Sequence, residues 1–149
     1  MAHKRLINCD FINASSFNKL DNDAKLLYVY MFANADDKGF CDKTNDLIEI
    51  LKISNKAVDQ LKERSLVLEF ENKHGNKIHL IKHWYCHNKY QPKLFTTYFK
   101  YLKQVELIEG EYEWKKEETI IKEENKVNEN MDKLNENKLN PDDYPFGLD

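Results

Sequence analysis

Residues 42–84 read DKTNDLIEILKISNKAVDQLKERSLVLEFENKHGNKIHLIKHW. Apolar residues first recur at helical spacing in two segments, which only Lys52 and Ile53 separate. A link this short predicts a tight helix-turn-helix corner. The apolar period then changes to about two on both sides of a turn at Gly75, which predicts a β-hairpin. The predicted elements are helices at 42–51 and 54–66, and strands at 67–71 and 77–84.

A further helix is predicted upstream, over residues 22–35, where apolar side chains follow helical spacing around Leu27. Asp21 suits its N-cap, Gly39 supplies the turn that ends it, and residues 40–41 could form a short extended piece. The resulting order is helix, short strand, helix, tight turn, helix and hairpin. We therefore expect an α+β fold, mainly helical, of the winged helix-turn-helix type.

Beyond the hairpin, Pro92 suits the first turn of one more helix, predicted at about 93–105. Leu94, Tyr98 and Tyr101 lie on one side of it and are expected in the core, with base stacking as the alternative. Two regions follow. A winged-helix DNA-binding domain is predicted at 1–110, including the C-terminal helix, and an acidic tail at 115–149.

The tail is rich in Lys, Glu and Asn, with 6 basic and 10 acidic residues, and has few apolar residues. We expect it to be largely disordered alone, because little apolar surface is available to offset chain ordering. Some of its apolar residues are spaced by seven, so a helix could form on a partner. Up to Trp114 the chain carries 17 basic and 16 acidic residues and is nearly neutral.

The composition also limits the class of protein. Three cysteines without a repeated spacing do not form a disulfide framework, which favours a reducing cytoplasm. The sequence shows no signal peptide and no run of about 18 apolar residues, so we expect an intracellular protein without membrane contact. With only four glycines, and neither a phosphate-binding loop nor a nucleophile elbow, we expect neither an enzyme nor a cofactor.

One run of 33 residues, from Asn72 to Gln104, contains no Asp or Glu. It holds seven lysines, four of the five histidines and seven aromatic residues. Basic residues mixed with aromatic rings suit nucleic acid, a polyanion with stackable bases. The alternative is that these lysines only solubilise an apolar face.

The predicted DNA contacts fall in three groups. Asp59 and Glu63 nearly cancel the charge of the helix at 54–66, so the wing is expected to hold phosphates better than the helix reads bases. The contacts are Asn55, Lys56, Gln60, Lys62 and Arg64 on the helix, then Lys73, His74, Asn76 and Lys77 on the wing, then Lys89, Lys93 and Lys100 beyond it.

His79, His83, Cys86 and His87 suggest a zinc site, but their spacing lacks the paired pattern of known sites. Polar positions on a strand account for them better. We therefore predict no metal site.

Several blocks resemble the N-terminal winged-helix domain of phage replisome organiser proteins, which are related to DnaD-type primosomal proteins. The resemblance covers roughly residues 4–92. Its most specific parts are the Ala-Asp-Asp-Lys-Gly-Phe turn at 35–40 and the Ile-Lys-His-Trp strand at 81–84. It implies binding to a phage replication origin and recruitment of the replicative helicase. Family members often continue into a helical helicase-interaction domain, whereas this chain continues into an acidic tail.

The last ten residues resemble the acidic Asp-Asp-x-Pro-Phe tails of single-stranded-DNA-binding proteins, although three more residues follow the Phe here. They are interpreted either as a partner-docking motif or as a disordered end. The docking residues would be Asp142, Asp143, Tyr144, Pro145 and Phe146.

The sequence thus favours a non-enzymatic DNA-binding protein that acts in phage or prophage replication initiation. Its expected partners are double-stranded DNA, with single-stranded DNA as an alternative, and a replisome component such as a helicase or helicase loader. A homo-oligomer is left open. The alternative functions are a winged-helix transcription regulator and a protein-interaction module that has lost DNA binding.

Overall fold

The computed structural model describes residues 4–136 as an α+β protein, and the chain divides after Trp114 into two units. The helices of the first unit are α1 (Cys9–Asn13), α2 (Ser15–Asn18), α3 (Asn22–Ala33), α4 (Thr44–Leu51), α5 (Lys56–Glu63), α6 (Trp84–His87) and α7 (Phe99–Leu102). Its strands are β1 (Phe40–Cys41), β2 (Val67–Glu71), β3 (Lys77–Ile81), β4 (Val105–Ile108) and β5 (Glu111–Trp114). The second unit contains α8 (Glu117–Glu136).

The central sheet is antiparallel, with strand order β1-β3-β2. Glu69 pairs with His79, and Phe70 pairs with Ile78. Because neighbouring residues on a strand point to opposite faces, the first pair lies on one face and the second pair on the other. The face with Glu69 and His79 lies against α4 and α5, and the apolar face is left for the C-terminal part of the unit.

The corner between α4 and α5 is tight, as predicted. Lys52 ends α4 in the left-handed conformation at φ 54°, and the Ile53 amide donates to the Ile48 carbonyl at 3.2 Å. A hydrogen bond of the same spacing ends α5, where the Leu66 amide donates to the Leu61 carbonyl at 2.9 Å. These bonds satisfy the last helical carbonyls and turn the chain sharply.

The turn between α3 and β1 is held by Asp36, whose carboxylate accepts the amides of Lys38 and Phe40 at 2.9 and 3.0 Å. Gly39 follows at φ 98°, and a Cβ added there would lie 2.8 Å from Cγ of Trp84. Only glycine combines this backbone conformation with so close a neighbour. The turn therefore fixes α3 and the sheet against the buried Trp84 ring.

The prediction of a C-terminal helix at about 93–105 is wrong. Only Phe99–Leu102 is helical, and a second hairpin, β4–β5, begins at Val105. Glu109 and Gly110, at φ 53° and 81°, form its two-residue turn. Positive φ at both positions is the geometry that matches the twist of a two-stranded hairpin.

Aromatic packing explains why a short helix and a hairpin replace the longer helix. The ring centroid of Phe70 lies 4.9 Å from those of Tyr101 and Trp114. The Tyr112 hydroxyl also donates to the Lys38 carbonyl at 2.9 Å. These contacts cover the apolar face of the central sheet, and this tertiary burial overrides local helical spacing.

Smaller differences occur at both ends of the unit. The strand predicted to reach Trp84 ends at Ile81, and Trp84 instead begins α6. The short helices α1 and α2 were not predicted. Asn8 caps α1 by accepting the amides of Asp10 and Phe11.

The second unit differs from the expectation of a largely disordered tail, since Glu117–Glu136 is helical. Acidic residues in its first turn and Lys133 in its last turn complement the helix dipole. Its apolar side chains Val127, Met131 and Leu134 are exposed. The proposed docking motif at 142–146 lies outside the described residues. Among residues 4–136, none of the helices has the length and apolar character needed to cross a bilayer.

Candidate nucleic-acid interface

Helix α5 presents a polar outer face because its apolar side chains are buried below it. Ala57 and Leu61 pack in the core, whereas Asn55, Lys56 and Arg64 are exposed. Lys62 is exposed as well, so four of the five helix residues predicted to contact DNA are accessible.

Gln60 on the same helix has a partner within the unit. Its amide oxygen accepts the Asp21 backbone N–H at 3.0 Å, and its amide nitrogen donates to the Asp21 carboxylate. These two bonds join α5 to the start of α3. This predicted DNA contact thus holds two helices together, so base reading by Gln60 would require both bonds to break.

The lysines that follow are partly neutralised by acids of β2. Nζ of Lys62 lies 3.0 Å from Glu69, and Nζ of Lys77 lies 2.6 Å from Glu71 and 3.6 Å from Glu69. The hydrogen bond to Glu71 is the main cause that raises the pKa of Lys77. The charge of both lysines is shared with glutamates on the neighbouring strand.

Glu69 is held in place from below by a buried histidine. Nε2 of His79 lies 3.0 Å from the Glu69 carboxylate, and Nδ1 lies 2.8 Å from the Thr44 hydroxyl. Because a carboxylate only accepts, Nε2 carries the proton, and Nδ1 accepts from Thr44. Burial lowers the pKa of His79 despite this carboxylate, so the contact joins a neutral ring to a charged acid.

The Glu69 carboxyl remains ionised. Burial alone would raise its pKa, but hydrogen bonds from His79 and Lys62 outweigh burial and lower it. Glu69 therefore places a fixed negative charge between Lys62 of α5 and Lys77 of the hairpin.

The wing tip is more open. The Asn72 side chain accepts the amides of His74 and Asn76 at 2.9 and 3.0 Å, which shapes the loop around Gly75. Lys73 is exposed there, and no carboxylate of residues 4–136 lies within 4.0 Å of its Nζ. Lys73, His74 and Asn76 are thus positioned as a tip that can meet phosphates.

Acids of the second hairpin neutralise the next part of the acid-free run. Nζ of Lys82 lies 2.8 Å from Glu113, and Nε2 of His83 lies 3.4 Å from Glu111. The run lacks acids in the sequence, but its middle part does not form an acid-free surface. The fold brings acids to it from β2 and β5.

Lys89, Lys93 and Lys100 lie on the segment between α6 and β4, and all three are exposed. Within the part of the chain that the structure describes, none has a carboxylate within 4.0 Å. Nζ of Lys100 lies 4.8 Å from the Tyr101 ring centroid, a cation–π distance. This segment keeps the positive charge that the central part of the run loses.

Sequence reasoning missed part of this segment. Tyr98 and Tyr101 pack on Phe40 and Phe70, as core residues were expected to do. Phe95 and Phe99 are instead exposed, and neither was predicted as a contact. Their position between lysines could have indicated that the two rings are exposed contacts. The helix predicted at 93–105 led to the expectation that aromatic residues of this segment lie in the core.

The residues considered for zinc have other partners. His79 bonds Thr44 and Glu69, while His87 bonds Asn8 and Tyr28. Across residues 4–136, no three His, Cys, Asp or Glu side chains are arranged to hold a metal ion.

Comparison with protein-family models, curated proteins and solved structures found no match to this chain.

Proposed function

We propose that the first unit is a winged-helix DNA-binding domain, with α5 as the recognition helix and the β2–β3 hairpin as the wing. One observation carries this proposal. Helices α4 and α5 form a tight corner, the hairpin follows directly, and β1 adds to the β3 edge of the hairpin. In winged-helix domains, a helix and a loop in this order contact the major groove and the backbone.

The proposed role is DNA binding at a phage or prophage replication origin, with recruitment of a helicase or helicase loader. The sequence resemblance to replisome organisers supports this role. Its two most specific blocks, at 35–40 and 81–84, touch in the fold, where Trp84 packs on Gly39 and its Nε1 donates to the Asp37 carbonyl at 3.2 Å.

Phosphate contact would dominate over base reading. Lys56, Arg64 and Lys73 are exposed and lie on α5 or on the wing, whereas Gln60 is bonded to Asp21. Contacts to phosphates fix the position of a protein on a duplex but carry no sequence information. We therefore expect affinity for many duplexes and a modest preference among them.

A second candidate is a protein-interaction module that has lost DNA binding. It is favoured by the ion pairs of Lys62 and Lys77 with Glu69 and Glu71, which reduce the positive charge of the hairpin.

Binding of the full chain to random duplex, to single strands and to phage origin DNA at two salt concentrations separates the candidates. Lys73→Gln should weaken duplex binding for all sequences and reduce the magnitude of the salt slope by about 0.9. Lys19→Gln, at an exposed lysine just after α2, removes the same charge and should have little effect. If no probe binds at low salt, the DNA-binding proposal is wrong. A strong preference for one palindromic site would indicate a transcription regulator.

A further inference from the structure

Phe95 and Phe99 are unusual in this fold because both rings face solvent. Their exposed fractions are 66% and 49%, whereas the other five phenylalanines among residues 4–136 are buried or half-buried. The two centroids are 5.5 Å apart, with the planes at 72°. The rings therefore form an edge-to-face pair outside the core.

The pair is set in a basic segment, residues 89–103, which contains no acid. Lys93 precedes the pair, and Lys100 and Lys103 follow it. All three are exposed, and the described residues place no carboxylate within 4.0 Å of their Nζ atoms. Exposed rings between unpaired cations match a ligand that carries both flat apolar groups and negative charge.

We infer that this segment binds single-stranded nucleic acid, with bases stacking on Phe95 and Phe99 and phosphates held by Lys93, Lys100 and Lys103. A ring can stack only on a base whose face is free, and in a duplex each base is covered by its neighbours. The site thus differs in ligand from the proposed duplex contacts of α5 and the wing, and it does not depend on them.

The rings are supported by the residues between and beside them. Tyr98 packs on Phe40 with centroids 5.4 Å apart, and Tyr101 packs on Phe70. The segment is anchored by these tyrosines. Binding would therefore require little additional ordering of the backbone, which favours affinity.

One side of the segment is unsuited to phosphates. A cavity of about 380 Å³ beside Phe95 is lined by Asp36, Asp37 and Asp42. We expect the strand to follow the lysines and to avoid this cavity. The three carboxylates already have partners in the unit, namely Thr96, Arg5 and Tyr98 respectively.

The test measures anisotropy of the full chain with three labelled probes: oligothymidylate of about 16 nucleotides, an abasic strand of equal length, and a duplex. The abasic strand keeps the phosphates but offers nothing to stack. Wild type should bind oligothymidylate more tightly than the abasic strand. Phe95→Leu/Phe99→Leu should weaken oligothymidylate binding at least about tenfold and leave the other two probes unchanged.

Two further variants complete the design. Tyr30→Leu removes an exposed ring on α3 and should bind like wild type. Lys93→Gln/Lys100→Gln should weaken oligothymidylate and abasic binding equally and reduce the magnitude of the salt slope by about 1.4. Thermal unfolding checks each variant, and Phe99→Leu alone replaces the double variant if that one does not fold.

The inference is overturned if wild type binds both single strands equally, if oligothymidylate does not bind, or if the phenylalanine variants match wild type. The last result would indicate that the rings dock a protein instead. If wild type binds oligothymidylate but not the duplex, the winged-helix proposal is refuted and the single-strand site stands.

Discussion

Among single residues, Gly39 occupies a position that has no room for a side chain. Its φ of 98° and its contact with Trp84 both exclude a side chain. Gly39→Ala should lower the free energy of unfolding by about 3 kcal/mol, from backbone strain together with displacement of the indole. Urea unfolding measures this loss.

Gly110 provides the matched control. It also has a positive φ, at 81°, but an added Cβ would meet nothing within 4 Å. Gly110→Ala should therefore cost only the backbone strain, about 1 kcal/mol. Equal losses in the two variants would show that contact with Trp84 is unimportant.

The sequence predicted which segment forms α3 but not all of its buried positions. The buried residues are Ala24, Leu27, Tyr28, Met31 and Phe32, whereas Leu26 and Tyr30, which share the apolar spacing, are exposed. Nearly every position of this helix is apolar. Its inward stripe was therefore decided by the neighbours it packs against and not by its own pattern.

At the scale of elements, the β2–β3 hairpin controls its own charge through Glu69. Glu69→Gln would release Lys62 from its carboxylate, while Lys77 stays paired with Glu71 and the amide oxygen could still accept from His79. Duplex affinity should rise severalfold, and the magnitude of the salt slope should increase by up to about 0.9 for the one released lysine. Titrations at several salt concentrations measure both.

Glu49→Gln is the control for this prediction. Glu49 is exposed on α4, has no ion pair among the described residues, and gives the same change in net charge. If both variants gain affinity equally, overall charge is responsible and Lys62 is not a specific contact.

The elements that sequence predicted well were those fixed by local rules. The corner at Lys52 and the hairpin turn around Gly75 followed from short links and turn residues. The β4–β5 hairpin did not follow, although Gly110 lies between alternating apolar residues. Helical spacing after Pro92 competed with that signal. The choice between a long helix and a hairpin depends on the apolar sheet face at Phe70, which Tyr101 and Trp114 cover.

The charge of the proposed interface was less predictable than the fold, because it depends on contacts between distant strands. Lys77 and Lys82 belong to an acid-free run, yet Glu71 and Glu113 reach them from other strands. Ion pairs between strands depend on register, which the local sequence does not specify. Exposed lysines on the segment after α6 keep their charge because no carboxylate of residues 4–136 lies within 4.0 Å of their Nζ atoms.

At the scale of the whole molecule, two buried histidines, His79 and His87, and the half-buried His83 link stability to pH. Burial lowers the pKa of His87 from 6.5 to about 4, and it also lowers the pKa of His79 and His83. The unfolded chain therefore takes up protons first as the pH falls. Stability should be full above about pH 6.5 and decrease toward about pH 4.

His87→Asn tests this link. An asparagine oxygen can still accept the Asn8 amide, which donates to Nδ1 at 2.9 Å, but it cannot be protonated in this range. The variant should lose less free energy of unfolding than wild type between pH 7 and pH 4.5. His74→Asn, on the exposed wing tip, should keep the wild-type dependence. Parallel curves for all three proteins would rule out a contribution from His87.

The glutamates that offset the lysines also bear on how such a protein can diverge. Glu71, Glu111 and Glu113 lie at the surface of strands whose inward residues hold the fold. Each can be exchanged without repacking a core. In evolutionary terms, single surface substitutions could raise the affinity for nucleic acid, or replace nucleic-acid binding by binding of a protein partner, while the fold is retained.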